Sequence, residues 1–302
     1  MTVFMTGGTG FVGTALARTL VDAGMQVTVL CRYGENPPGL PEGAAPFEGD
    51  PTRPGPWQDE AARHDTFINL AGASIFSRWT KRQKALIRES RMATTENLVA
   101  AVGKRGKKST TLFSTSAVGY YGFTGDDELT EHAPAGDDFL ARIAADWERA
   151  ARKAEEYGAR VVITRFGIVI GPGGGALSRM IPLFRWGLGS PLGSGRQWFS
   201  WIHLDDLCRA FLFLMEHPEI TGPVNCTSPA AVTNRDLTKS LAAQLSRPVF
   251  LPPIPAPVLR IVLGEFSHVL VRGQRVVPKR LTDAGFEFEY PKIDGAIRSS
   301  LD

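Results

Sequence analysis

A doubly wound parallel α/β sheet is the fold class that this 302-residue sequence predicts, and three observations carry it. Short apolar runs alternate with helical stretches through the first half of the chain. Those stretches are long enough to carry a crossover between parallel strands. The first apolar run passes through a glycine-rich turn straight into the first helix. With 43% hydrophobic residues, the chain can build one large core, or a core with a smaller second lobe.

Taken in order, Val3 to Met5 reads as a buried strand. Gly10 to Ala23 reads as a helix with Phe11, Leu16 and Leu20 on one side and Gly24 as its stop. Val27 to Cys31 is a second strand. Residues 34–56 are rich in Gly and Pro around Ala45 to Phe47, a third short strand. Phe67 to Leu70 is a fourth. A long helix is expected over Lys81 to Lys104, then a strand at Thr111 to Thr115, a helix over Asp137 to Tyr157 and a strand at Arg160 to Arg165. Beyond Gly171 the alternation loosens. A Gly-rich turn (Gly171 to Gly175) leads to a helix near Leu177 to Trp186 and a loop through Gln197. Leu204 to Glu216 is a helix returning toward the sheet, and a Pro-rich tract begins at Pro248.

The turn after the first strand is Thr6-Gly7-Gly8-Thr9-Gly10-Phe11-Val12-Gly13. Gly7 permits the tight turn, Gly10 lets a pyrophosphate approach the backbone, and Gly13 lets helix and strand pack closely. The helix N-terminus then offers its unpaired N–H groups and positive dipole end to the anion. Strand before, helix after and a position near the chain start together identify a dinucleotide-binding, Rossmann-type turn. At the second strand's tip an acid would bond a ribose 2′-hydroxyl, whereas an Arg accommodates a 2′-phosphate. The tip reads Cys31-Arg32-Tyr33, so NADP(H) is the expected cofactor. Residues 1–170 with 204–230 form the expected NADP-binding domain, and 171–203 with 231–302 a smaller substrate lobe.

Other classes find little support. No stretch reaches the roughly eighteen charge-free apolar residues of a membrane span. Met1 opens directly into the first strand-like run, and the expected location is the cytoplasm. A net charge of +3 is weak evidence for nucleic-acid binding, and the Lys104 to Lys108 cluster suits a solvated helix end. Cys31, Cys208 and Cys226 are far apart and read as small buried residues, while the five histidines are scattered, so no metal site is indicated. The expected partner is a small molecule, with no nucleic acid and no membrane; a homodimer is compatible with the chain.

The glycine loop, Asn69-Leu70-Ala71-Gly72, Ser114-Thr115-Ser116-Ala117 and Arg165 followed by Gly171-Pro172 resemble the extended short-chain dehydrogenase/reductases. Arg78-Trp79-Thr80, Ser90-Arg91, Gly119-Tyr120-Tyr121-Gly122, Trp147-Glu148 and Ser200-Trp201-Ile202-His203 are similar to the atypical epimerase-family branch. Gly264-Glu265, Gly273-Gln274-Arg275-Val276 and Gly285-Phe286 match that branch's C-terminal extension. The resemblance spans essentially the whole chain. It implies a nucleotide-sugar-epimerase-like fold holding NADP(H), with Gly7, Thr9, Gly10, Phe11, Val12, Gly13, Cys31, Arg32, Leu70, Ala71, Gly72 and Arg91 as cofactor contacts. It supplies no defined substrate.

Chemistry in that superfamily uses a Ser together with Tyr-x-x-x-Lys. Ser116 stands at the Ser position, but the stretch Phe139 to Asp146 holds neither Tyr nor Lys, and Arg91 replaces the usual Asn. The candidate catalytic groups are therefore Ser116, Tyr120 and Tyr121; for each tyrosine, buried packing with its hydroxyl satisfied elsewhere stays open. Arg196, suited to an anionic group such as a diphosphate, and His203 are the candidate substrate contacts. A solvated loop residue is the other reading for Arg196, and a helix cap or packing group for His203. The functional expectation is an NADP(H)-dependent oxidoreductase or epimerase-like enzyme acting on a small molecule, possible nucleotide sugars included. A cofactor-binding sensor or scaffold with little turnover stands as the alternative.

Overall fold

The computed structural model describes residues 1–32, 39–106 and 108–301; Tyr33 of the strand tip and Lys107 of the basic run lie outside them. Seven strands form one wholly parallel sheet: β1 (Thr2–Thr6), β2 (Gln26–Cys31), β3 (Ala44–Glu48), β4 (Thr66–Asn69), β5 (Thr111–Ala117), β6 (Arg160–Phe166) and β7 (Gly222–Cys226). Their spatial order is β7-β6-β5-β4-β1-β2-β3. The order reverses between β1 and β4, so a crevice opens beyond the carboxyl ends of those two strands, where open α/β sheets bind ligands.

Helices cover both faces because these strands are apolar on both. On one face α1 (Phe11–Asp22) and α5 (Leu204–Glu216) bury Leu16, Leu20, Leu207 and Phe211 against Val3, Met5, Val29 and Phe113. On the other, α2 (Lys81–Gly103) and α3 (Phe139–Arg152) bury Leu98, Val102 and Ala151 with Phe4, Trp57, Phe67 and Ile163. Each fully buried Leu or Phe contributes roughly 1.5–3 kcal/mol. A third cluster joins α4 (Leu177–Arg185), α6 (Asn234–Gln244) and α8 (Ile293–Ser299) around Trp201, Phe184, Leu237 and Ile297. Between the last two helices lies α7 (Ala256–Leu263).

The C-terminal segment is fastened to the body at several points. Arg275–Val276 pairs in parallel with Glu128–Leu129. Ser200 donates to the Gln274 carbonyl and accepts from Val276 N–H at 2.7 and 2.9 Å. The fully buried Asp206 carboxylate accepts from the N–H groups of Glu289 and Tyr290 at 2.8 and 2.9 Å.

Three elements differ from the sequence expectation. The helix expected over Asp137 to Tyr157 starts two residues later, at Phe139, because Asp138 caps it by accepting from Leu140 and Ala141 N–H. It tightens to 3-10 geometry over Lys153–Tyr157 and ends at Gly158, with φ +77°. A short helix, Trp57–Ala61, follows the Gly/Pro-rich tract. The seventh strand, β7, carries Gly and Pro in a five-residue segment and shows no strand signal of its own.

Candidate active site

A cavity of about 460 Å3 occupies the crevice, within the range of small-molecule sites. Gly7, Gly10, Phe11, Val12 and Gly13 line it from the loop after β1, and Leu70 and Gly72 from the end of β4. Thr115 to Gly119 at the end of β5, Phe166 to Val169 after β6, and Arg91 and Trp147 from α2 and α3 complete the body side. Trp198, Ser200, Val269, Arg272 and Gln274 close it from the C-terminal half.

The three loop glycines have separate reasons. Gly7 has φ +73°, and a Cβ there would lie 2.7 Å from the Ala71 backbone nitrogen. A Cβ on Gly13 would lie 2.2 Å from the Gly7 carbonyl oxygen. Gly10 is different: its φ is −85°, and a Cβ would meet nothing closer than the Gly7 oxygen at 3.4 Å. The protein itself therefore does not require glycine at position 10. The open space there belongs to the cavity, at a helix start capped without any side chain, where first-turn N–H groups are free. This cradle fits a pyrophosphate.

The second strand's tip is arranged differently. Arg32 is exposed and lines a separate open pocket with Glu48, Gly49 and Asp50. Burial works to raise the Asp50 carboxyl, but hydrogen bonds from Thr52 and the charges of Arg32 and Arg53 hold it below its ordinary value. Cys31 is buried, with its thiol facing the Phe47 carbonyl oxygen at 3.5 Å, and does not line the cavity. Ala71 packs behind Gly7, and Thr9 is exposed outside the lining.

Of the expected catalytic groups, Ser116 alone lines the cavity. Its hydroxyl donates to Glu148 Oε1 at 2.7 Å. Glu148 also accepts from Arg165 Nε and Nη2, both at 2.8 Å, in a two-pronged pair almost wholly removed from solvent. Because the Ser116 proton is committed to a carboxylate, its Oγ presents lone pairs to the cavity. Burial alone would lower the Arg165 pKa; the Glu148 carboxylate raises it above its ordinary value.

The tyrosines do not fulfil the catalytic expectation. Tyr121 is 1% exposed, donates to Asn225 Oδ1 at 2.6 Å and accepts from Arg165 Nη1 at 2.9 Å. Burial pushes its hydroxyl up to about 12, despite the opposing pull of Arg165. Tyr120 lies with its ring 3.6 Å from the Arg165 guanidinium carbon. Both hold the buried arginine in place and neither lines the cavity.

Arg91, on α2, lines the cavity. Its Nη1 donates to the carbonyls of Ala73 and Ile87 at 3.1 and 3.0 Å, and its guanidinium lies 5.1 Å from the Trp147 ring centre. Burial lowers its pKa to about 10, so it remains cationic at neutral pH. Nearby, Thr115 lines the cavity, and its buried Oγ1 has no hydrogen-bond partner in the protein.

Both expected substrate contacts lie elsewhere. His203 is wholly buried, caps α5 by accepting the Asp205 N–H at 3.2 Å and packs 4.0 Å from the Tyr290 ring centre. Arg196 is exposed outside the lining. The cation that does reach the cavity from the C-terminal half is Arg272, lying 5.7 Å from the Phe123 ring centre. Sequence reasoning passed over Arg272, Thr115 and the roles of Glu148 and Arg165. An Arg at the end of a buried strand was a usable signal, since such a charge requires a partner.

Comparison with known proteins agrees with this fold. The NAD dependent epimerase/dehydratase family matches residues 3–226, and a domain of unknown function (DUF1731) matches residues 254–300. The epimerase family protein Mb2239 of Mycobacterium bovis is 40% identical over 98% of this chain and 96% of its own length. The crystal structure of human epimerase family protein SDR39U1 with NADPH superposes with a TM-score of 0.86 at 32% identity, covering 99% of each chain. The nucleoside-diphosphate sugar epimerase of Corynebacterium glutamicum gives 0.80 at 34% identity, covering this whole chain and 58% of that one. The chain therefore belongs to the NAD dependent epimerase/dehydratase family, in the epimerase-family branch that carries the additional C-terminal domain.

Proposed function

We propose that this protein binds NADP(H) along the Gly7–Gly13 loop and moves hydride to or from a carbon of a small alcohol or carbonyl compound, with nucleotide sugars as the first class to test. The observation that carries this reading is the continuity of one cavity. The same 460 Å3 space touches Gly10 at the helix start and the Ser116 hydroxyl at the end of β5. The human relative crystallised with NADPH and the Corynebacterium sugar epimerase support the cofactor and the substrate class.

When bound, the nicotinamide supplies or accepts the hydride. The residues of this chain supply the rest. Gly10 and the first turn of α1 hold the pyrophosphate. Arg32, at the end of β2, is the group placed to take a 2′-phosphate. Arg91 offers a fixed cation on the cavity wall, and Thr115 an unsatisfied hydroxyl. Ser116 Oγ accepts a hydrogen bond from a substrate hydroxyl, and Glu148 behind it takes the Ser116 proton as the substrate proton arrives. Arg272 stands where an anionic part of the substrate enters. Titrating NADPH by its fluorescence and then following NADPH consumption over a panel of carbonyl compounds and nucleotide sugars tests the proposal. Absence of NADPH binding overturns it.

A second reading, a cofactor-controlled sensor with little turnover, is favoured by one observation. The stretch Phe139 to Asp146, where Tyr and Lys are expected, holds neither, and the nearby tyrosines are committed to Arg165. Tight NADPH binding with no turnover on the panel, combined with cofactor-dependent capture of a protein partner, selects it.

A further inference from the structure

Ser74, Ile75, Phe76 and Ala176 of the cavity lining border a face of unusual composition. It is built from four segments: Ser74 to Trp79, α4 with its continuation to Leu192, the Pro-rich run from Val249, and α7. Their adjacency is given by direct contacts. The Arg179 guanidinium lies 5.1 Å from the Phe76 ring centre. Phe76 and Trp79 both pack on Phe266, just after α7. Leu192 bridges to Ile254, and Ser190 Oγ donates to the Pro252 carbonyl at 2.7 Å.

Large apolar side chains stand in solvent across all four segments. Trp186 is 82% exposed and Ile261 76%, and Phe76, Leu183, Leu188, Phe250, Val258 and Val262 are exposed as well. In α7 only Leu259 is buried. A soluble chain rarely leaves so much large apolar surface together without a binding role.

Charge separates the occupants. Residues 176–192 and 245–263 contain Arg179, Arg185, Arg247 and Arg260 and not one Asp or Glu. All four arginines are exposed, and among the described residues none makes an ion pair. Arg78, exposed beside Gly264, extends the basic rim, and the acid at that edge, Glu265, is engaged by Lys84. A second copy docking through this face about a two-fold axis would set these arginines against themselves. An anionic lipid surface meets both properties at once. Its headgroups pair with the arginines, and its acyl boundary takes Trp186, Phe250 and the apolar side of α7. Arginine stems can lie along that boundary while their heads reach phosphate, and an indole at a helix end suits the headgroup level. That no helix among the described residues is long and apolar enough to cross a membrane does not bear on this, since a protein can lie on a bilayer without crossing it.

We infer that this protein docks on anionic membranes through the face formed by α4, the Val249–Ile254 run and α7, placing the cavity mouth at the lipid surface. The inference does not depend on the cofactor or on turnover. The test is co-sedimentation of the full chain with vesicles of phosphatidylglycerol and phosphatidylcholine in equal parts, against vesicles of phosphatidylcholine alone. Binding is expected with the anionic vesicles only, and it weakens as salt is raised. Arg185→Gln and Arg260→Gln should each weaken it about fivefold. Ile261→Ser with Trp186→Ser should abolish it while NADPH binding and the melting temperature stay at wild-type values, since neither residue lines the cavity or is buried. Absence of binding to either vesicle overturns the inference. So does equal binding to both vesicles with the arginine variants unchanged. A dimer in light scattering that Ile261→Ser dissolves, without lipid binding, also overturns it and assigns the face to a second copy.

Discussion

Gly10→Val separates the loop's role in folding from its role in binding. Position 10 has φ −85° and ψ 174°, extended values that valine adopts without strain. The Cβ meets only the Gly7 oxygen, at 3.4 Å. The cost in stability is therefore that of a poor N-cap residue, on the order of 1 kcal/mol. Binding is affected far more. The added isopropyl group fills the space over the first turn of α1, and a pyrophosphate displaced from two backbone N–H groups loses about 1.5–3 kcal/mol for each. Together these amount to roughly 3–6 kcal/mol, or about 10²–10⁴-fold in Kd. Gly13→Ala is the contrasting control. Its Cβ would sit 2.2 Å from the Gly7 oxygen and 2.6 Å from Gly8 Cα, so that variant should lose the loop's fold. The assay is NADPH fluorescence titration beside a thermal melt. A Gly10→Val protein that melts near wild type and still binds NADPH within threefold or so would refute the assignment of the cradle.

Four further outcomes are expected. Arg32→Asp should weaken NADP(H) by at least about tenfold and leave NAD(H) nearly unchanged, read by titrating both; equal losses mean that Arg32 does not read the 2′-phosphate. Glu148→Ala strands the buried Arg165 and should cost about 3–5 kcal/mol in denaturant unfolding, whereas a loss below about 1 kcal/mol would show the pair to be structurally idle. Once turnover is found, Ser116→Ala should slow it about 10²–10⁴-fold while Tyr120→Phe and Lys153→Ala stay near wild type; a collapse confined to Lys153→Ala contradicts the site. The His203 pKa is lowered by burial, against the charges of Asp205, Asp206 and Glu289, so its neutral form stabilises the fold fully above about pH 6.5, and that contribution fades as pH falls through the lowered value. Glutamine at position 203 should flatten the acid-side slope of the unfolding free energy; an unchanged slope removes His203 as its source.

The parts of the site legible in the sequence are those whose chemistry is local. The glycine loop is read from backbone requirements within eight residues, whereas Ser116 was picked out by the resemblance that Ser114-Thr115-Ser116-Ala117 carries. The tyrosines were not legible, because where a phenol points is decided by partners far along the chain. Tyr121 is held by Asn225, separated from it by 104 residues, and by Arg165. The same holds for the arginines. Arg196 and Arg272 each stand beside a Gly, Gly195 and Gly273, and only the fold of the C-terminal half brings Arg272 over the cavity and leaves Arg196 outside. Strand β7 was missed because its five residues are selected by the sheet edge rather than by their own propensity.

The fastening of the C-terminal segment sets the order in which this chain can be made. Glu131 accepts from Arg280 N–H across 149 residues, and Asp206 from Glu289 and Tyr290 across more than 80. A chain emerging from the ribosome can close β1 to β6 over their helices while Glu131, Asp206 and the apolar side of α6 still have no cover. The cavity gains its Arg272 and Gln274 wall only after those residues have left the ribosome. Until then the nascent protein exposes two buried-type carboxylates and an unfinished apolar cluster. Synthesis thus has a late, aggregation-sensitive interval, which ends when residues 275–297 settle into place.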